Sequence, residues 1–240
     1  MLAGGQSLLP VLKLRVVRPS VLVDIGELAA GSVELRDGEL RVGALTTWDA
    51  LTRAPELAGA AFGALRDCAT AVGDLQVRNR GTVGGSLAHA DPASDLPAVV
   101  LALGARLALR SVGGEREVGA DDFFAGPFLT ALDAGELLVE VRIPEPPEGS
   151  GSAYEKAEHP ASGFALAGAA ALVRADGSRA VAVTGVSARA VLLPDDADPD
   201  EALAEAEIYG DELAPAEYRR HLAAVVARRA LARAEARASE

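Results

Sequence analysis

One cysteine, Cys68, stands in 240 residues. No intrachain disulfide can form, and no cysteine-ligated iron–sulfur cluster can be held by this chain alone. The three histidines, His89, His159 and His221, have no metal-ligand spacing, so no zinc or other metal site is expected. Basic residues are in deficit, 23 Lys and Arg against 35 Asp and Glu. A net charge of −12 argues against a nucleic-acid or anionic-membrane surface. The longest apolar run, Phe164 to Val173, is too short to span a bilayer. No basic segment followed by an apolar one opens the chain, so no secretion signal is visible and a cytoplasmic location is expected. No Gly-Lys-Ser/Thr triplet occurs, which excludes a P-loop.

Half of the residues are apolar, enough for a sizeable core without staples. Two glycine-rich stretches stand out. The first is Ala3-Gly4-Gly5-Gln6-Ser7-Leu8. The second is Gly81-Thr82-Val83-Gly84-Gly85-Ser86, with Asp91-Pro92-Ala93-Ser94-Asp95 behind it. Each supplies successive backbone N–H groups with little Cβ bulk and hydroxyls alongside, the chemistry that wraps a pyrophosphate. Neither has the strand, G-x-G-x-x-G and helix of a Rossmann site.

Along the chain, Val21 to Ile25 reads as a buried strand, and Val33 to Gly43 as a hairpin around Asp37-Gly38. Thr47 reads as the N-cap of a helix through Arg53, and Pro55 as the start of a longer helix to about Cys68. Asp95, with Pro97 in the first turn, reads as the N-cap of a buried helix through Leu103. Ala105–Arg110, Glu115–Val118 and Leu137–Ile143 read as strands. The stretch 145–151, rich in Pro, Gly and Glu, places a domain boundary there, giving units 1–148 and 149–240. Beyond it, a hairpin turns at Asp176-Gly177, an acidic loop runs from Pro194 to Pro199, and a final helix from Pro215 to about Arg237 carries Tyr218, Leu222, Val225, Val226 and Leu231 near helical spacing.

The ordered set of both glycine loops, Leu45-Thr46-Thr47-Trp48, Leu137 to Pro144 and Tyr154-Glu155-Lys156-Ala157 resembles the FAD-binding medium subunit of molybdenum hydroxylases. That family includes the xanthine and carbon monoxide dehydrogenases. The resemblance covers Leu2 to about Ala234. It implies an α+β fold: an FAD-binding fold of the vanillyl-alcohol oxidase (PCMH) type, then a small α+β C-terminal domain. It implies FAD as cofactor, a 2Fe-2S small subunit and a molybdenum-bearing large subunit as partners, and NAD⁺, a quinone or oxygen as acceptor. It also implies a strand–helix unit ahead of the first loop, so the FAD domain is expected to be short at its N-terminus.

Carried over residue by residue, the resemblance assigns Ala3, Gly4, Gly5, Gln6, Ser7 and Leu8 to one side of the FAD pyrophosphate. Thr82, Gly84, Gly85 and Ser86 fall on the other. Asp95 matches a residue contacting the ribityl or dinucleotide portion, and as a helix cap it has a second reading. Lys156 matches a lysine near the isoalloxazine, where a cation would favour the anionic reduced flavin; a strand-edge lysine is the plainer reading. Leu138 and Phe164 match apolar and aromatic neighbours of the ring, and core packing would account for both. After the lysine, relatives carry arginines and often an aspartate, where this chain has Glu158, His159, Pro160, Ser162 and Gly163. No side chain is expected to act as a catalytic nucleophile or base. A flavin-free interaction subunit and a stand-alone flavin reductase are the alternative functions. The arginines Arg219, Arg220, Arg228, Arg229, Arg233 and Arg237 of the last helix read as a solvated face or a subunit-docking face.

Overall fold

The computed structural model describes residues 1–28 and 30–239. In chain order the first elements are α1 (Leu8–Lys13), the hairpin β1 (Val33–Arg36) and β2 (Glu39–Gly43), and α2 (Trp48–Thr52). Four helices follow: α3 (Gly63–Ala71), α4 (Leu75–Arg80), α5 (Val83–His89) and α6 (Leu96–Ala102). Then come β3 (Arg106–Ser111), β4 (Gly114–Gly119), α7 (Ala120–Phe123), the short pair β5 (Phe124–Gly126) and β6 (Leu129–Thr130), and β7 (Leu137–Pro144). The remainder is β8 (Gly151–Glu158), β9 (Ala165–Val173), β10 (Arg179–Thr184), β11 (Val191–Leu192), α8 (Pro199–Glu205) and α9 (Ala216–Ala238). No helix is long and apolar enough to cross a membrane among the described residues.

The first sheet has the order β1-β2-β7-β3-β4 and is antiparallel throughout. Its opening hairpin turns on Asp37 and Gly38, both at positive φ (55° and 73°), the conformation a tight two-residue hairpin requires. One face buries Leu40, Val42, Leu107, Leu109, Val141 and Ile143 in a core shared with α2, α3, α5 and α6. The other face is an ionic lattice. Arg142 donates to Glu140, Glu117 and Glu115, and Arg106 to Glu39. A bulge in the β3–β7 pairing, where Ala108 faces Glu140 but Leu109 faces Leu138, shifts the alternation and turns Leu138 to the core side.

The second sheet has the order β11-β10-β9-β8 and is covered on both faces. Ala153, Ala167, Ala169, Ala171, Val181 and Val183 lie in one cluster with α9, while Tyr154, Ala170, Leu172 and Ala182 join the main core. The helix seam is built from Ala223, Ala227, Ala230 and Ala234 with Val226 and Leu231, and Tyr218 is exposed. Alanine against alanine allows the helix to lie close on the sheet. At Gly151 an added Cβ would stand 2.2 Å from the carbonyl oxygen of Ala234.

Several expectations are corrected. Val21, Leu22 and Val23 are exposed, not a buried strand; the segment's ladder contact is one bridge between Leu2 and Asp24, and no sheet covers it among the described residues. The helix expected from Pro55 is two 3₁₀ turns, Pro55–Leu57 and Ala60–Phe62, before α3, because Gly59 enters in an extended conformation. The acidic loop is followed by a helix, α8, capped by Asp198. Nor do the arginines of α9 form one solvated or docking face. Arg219, 6 % exposed, donates to the carbonyls of Leu166 and Gly185 and to Asp211. Arg237 and Arg233 both reach Asp67, and Arg228 reaches Asp200. Arg220 binds carbonyls at the end of α8. Arg229 is exposed. Apart from Arg229, these arginines clamp the helix to its own chain.

Candidate functional site

The first glycine loop begins where Leu2 exchanges backbone bonds with Val23 and Ile25, each 2.8 Å. It ends where Leu9 donates to the Gly5 carbonyl at 3.0 Å and α1 starts. Gly5 sits at φ 78°, a conformation costly for any side chain. Between these anchors, the amide N–H groups of Ala3, Gly4, Gly5, Gln6, Ser7 and Leu8 have no hydrogen-bond partner among the described residues. The Ser7 hydroxyl makes no cap bond either. Six consecutive uncommitted donors are the groups that an anion cradle would need.

The second loop is arranged differently. Val83 donates to Thr46 O at 2.9 Å, Gly84 to Ala44 O at 2.8 Å, and Ser86 to Thr82 O at 3.0 Å. Gly85 donates to Thr82 Oγ1 at 3.1 Å, which makes Thr82 the N-cap of α5. A Cβ on Gly84 would stand 2.5 Å from Ala44 Cβ, so glycine here answers to internal packing. What this loop has left to offer is hydroxyl chemistry. Thr82 keeps its O–H as a donor, and Ser86 Oγ shares a 3.0 Å bond with Ser94 Oγ. The two loops touch: a Cβ on Gly4 would stand 1.9 Å from Arg80 O, and one on Gly85 would stand 4.0 Å from Ala3 Cβ.

From Ser94 the path continues through the strap 91–95. Thr184 Oγ1 on the second sheet bonds the Pro92 and Ser94 carbonyls at 3.0 and 2.7 Å, and Gly185 N donates to Pro92 O at 2.9 Å. Asp95 occupies the N-cap position of α6, but its side chain makes no cap bond. Its backbone is already helical, and its carboxylate turns inward, accepting from Tyr154 Oη and, at 3.2 Å, from Lys156 Nζ. The capping expectation is thereby overturned. Burial raises the Asp95 pKa, against the opposing pull of Lys156 and the Tyr154 hydroxyl. Burial, then the Asp95 charge, pushes the Tyr154 phenol and the Cys68 thiol up as well. The single cysteine is an inert core group.

Lys156 does stand on an edge strand, β8, but it is not turned out to solvent. Its side chain is 6 % exposed, and besides Asp95 it donates to Ala71 O at 2.9 Å and Gly163 O at 2.7 Å. Its charge is balanced at short range, so it does not stand as a bare cation. Phe164 is half exposed rather than buried in the core. Leu138 is 9 % exposed at the core side of β7. It lies next to Val139, whose carbonyl accepts from Ala44 N, while the Ala44 carbonyl accepts from Gly84. The structure thus strings the expected residues into one line: first loop, second loop, strap, and the turn carrying Phe164, with Leu138 flanking the second loop. Sequence reasoning missed Ser94, Tyr154 and Thr184 as the residues that join the line. Tyr154 had a signal in Gly168, where a Cβ would stand 2.4 Å from its hydroxyl, because a lone glycine in an alanine-rich strand marks a close approach.

Residues 1–146 match the family described as the FAD binding domain in molybdopterin dehydrogenase. The chain is 39% identical over 259 residues to the carbon monoxide dehydrogenase medium chain of Afipia carboxidovorans, with 99% of this chain and 89% of that one covered. Its fold matches carbon monoxide dehydrogenase from Hydrogenophaga pseudoflava, solved without the Mo-pyranopterin moiety of its molybdenum cofactor. That match has a TM-score of 0.91 at 34% identity and covers 98% of this chain and 89% of the other. Quinoline 2-oxidoreductase from Pseudomonas putida 86 matches with a TM-score of 0.88 at 32% identity, covering 100% and 90%. With its α+β architecture and these relatives, the chain belongs to the FAD-binding medium-subunit family of the molybdenum hydroxylases, as an FAD-dependent oxidoreductase subunit.

Proposed function

We propose that this chain carries FAD as the electron-transfer subunit of a multi-subunit molybdenum hydroxylase. It receives electrons from a 2Fe-2S partner and passes them to NAD⁺, a quinone or oxygen, while a molybdenum-bearing large subunit hydroxylates the substrate. The observation that carries the reading is the run of six uncommitted amides from Ala3 to Leu8, packed directly on the second loop. When bound, FAD supplies the reversible acceptance of electrons. The chain's own residues bind and orient it. The first-loop amides and Ser7 hold the pyrophosphate, Gly4 allowing the close packing on Arg80. Thr82 and Ser86 add hydroxyls, and Gly84 keeps α5 seated on Ala44. Leu138 and the exposed Phe164 form apolar surface for the ring system. An iron–sulfur cluster needs several cysteine ligands and these residues supply one, Cys68, so electrons from such a cluster enter from outside them.

The test compares ligands. Titration of the purified chain with FAD and with riboflavin, followed by flavin fluorescence, should show FAD binding at least about a hundredfold more tightly, because only FAD brings a pyrophosphate to charge-assisted N–H donors. Equal affinities would remove the pyrophosphate grip and the reading with it.

A further inference from the structure

The ammonium of Lys156 has three N–H donors, and three acceptors surround it: Ala71 O, Asp95 Oδ2 and Gly163 O. It has no donor to spare for a cofactor atom. Two of its acceptors belong to the rigid interior, since Ala71 ends α3 and Asp95 is locked by Tyr154. The third belongs to the turn that links β8 to β9. That turn is otherwise closed on itself. His159 N donates to Phe164 O, Gly163 N to His159 O, and Ala161 N and Ser162 N to His159 Nδ1. Gly163 stands at φ 70° directly before the half-exposed Phe164.

We propose that Lys156 is a positioning residue, a buried latch whose bond to Gly163 O fixes the 159–164 turn and holds Phe164 as the wall of the flavin ring site. The part about Phe164 rests on the FAD reading above; the latch itself does not. Asp95, at 3.2 Å, is the buried counter-charge of this ammonium, and the exposed Glu158 carboxylate stands farther off at 3.9 Å. Tyr154 Oη, seated over Gly168, aims that carboxylate. The latch therefore joins α3, the 91–95 strap and the β8–β9 turn at one nitrogen.

The apo protein tests the latch without flavin. In Lys156→Met, hydrogen exchange of the Ser162, Gly163 and Phe164 amides should quicken about tenfold or more, the loss of one charge-assisted bond, while β9 amides keep their protection. Where Lys156→Met alone fails to fold, the double variant Lys156→Met with Asp95→Asn removes both buried charges and carries the same expectation. Unchanged exchange in the turn of the folded variant overturns the latch. The second readout is spectroscopic. Phe164→Trp should quench the emission of bound FAD, and adding Lys156→Met should restore emission at least severalfold while FAD stays bound. Persistent quenching in that combined variant shows that the turn holds its place unaided and overturns the positioning role. Should the native chain bind no FAD at all, the reading of the site fails and the exchange experiment still decides the latch.

Discussion

The two glycine loops look alike in sequence and do opposite things with their backbone. The first leaves six successive amides without a partner among the described residues. The second commits the amides of Val83, Gly84, Gly85 and Ser86 to Thr46, Ala44 and Thr82. Glycine is needed in both, for different reasons. In the first it frees N–H groups and permits φ 78° at Gly5; in the second it lets α5 sit against Ala44. A glycine-rich motif is therefore not one device, and only the hydrogen-bond inventory separates a ligand cradle from a packing joint.

The sharpest break of this contrast is Gly84→Val. Its Cβ would meet Ala44 Cβ at 2.5 Å and Ala44 O at 2.8 Å, so the apo chain should lose about 3 kcal/mol of stability, read from denaturant midpoints. A variant that melts like the native chain yet loses FAD would make the second loop a ligand contact instead. Next comes Leu8→Pro, which deletes one first-loop amide at the N1 position of α1, where proline is tolerated. FAD affinity should fall about tenfold or more, because the donor is lost and a following proline also disfavours the helical backbone of Ser7. Thr82→Ala removes the cap of α5 and should cost about 1 kcal/mol of apo stability. Its effect on FAD should be smaller than that of Leu8→Pro, and a reversal of that order would reverse the assignment of the loops.

The smallest effect lies on neither loop and serves as a control. Arg116, with help from the Asp133 amide, holds the Glu136 carboxyl at about 2, down from 4.5. Ionised Glu136 favours the fold fully above 4.5, and that contribution is lost as pH falls through about 2. Glu136→Gln should flatten the acid-unfolding curve within this window and leave FAD affinity at neutral pH untouched. An identical acid curve would show that the exposed Arg116 clasp adds nothing to stability.

Much of this was legible beforehand where local chemistry decides. Asp37-Gly38, Thr47 and the alternation in β2 and β7 announce their elements, and the order of the motifs announces the family. Sequence could not show where a side chain turns once several elements meet. Asp95 has the residue type and position of a cap, yet its partners, Tyr154 and Lys156, lie 59 and 61 residues away. Val21 to Ile25 has strand composition but no neighbouring strand among the described residues. The arginines of α9 looked like surface because their acceptors, among them Asp67 and Asp211, are scattered along the chain.

The strap at 91–95 has a thermodynamic consequence. Thr184 and Gly185 hold its carbonyls from the second sheet, while Ser94 is tied to α5 beneath the first. Neither sheet can melt without tearing bonds that the other depends on, so heat should unfold the chain in one calorimetric transition whose van't Hoff and calorimetric enthalpies agree. A ligand gripped at the first loop alone would then raise the melting point of the whole polypeptide, including an alanine-packed sheet and helix that it never touches.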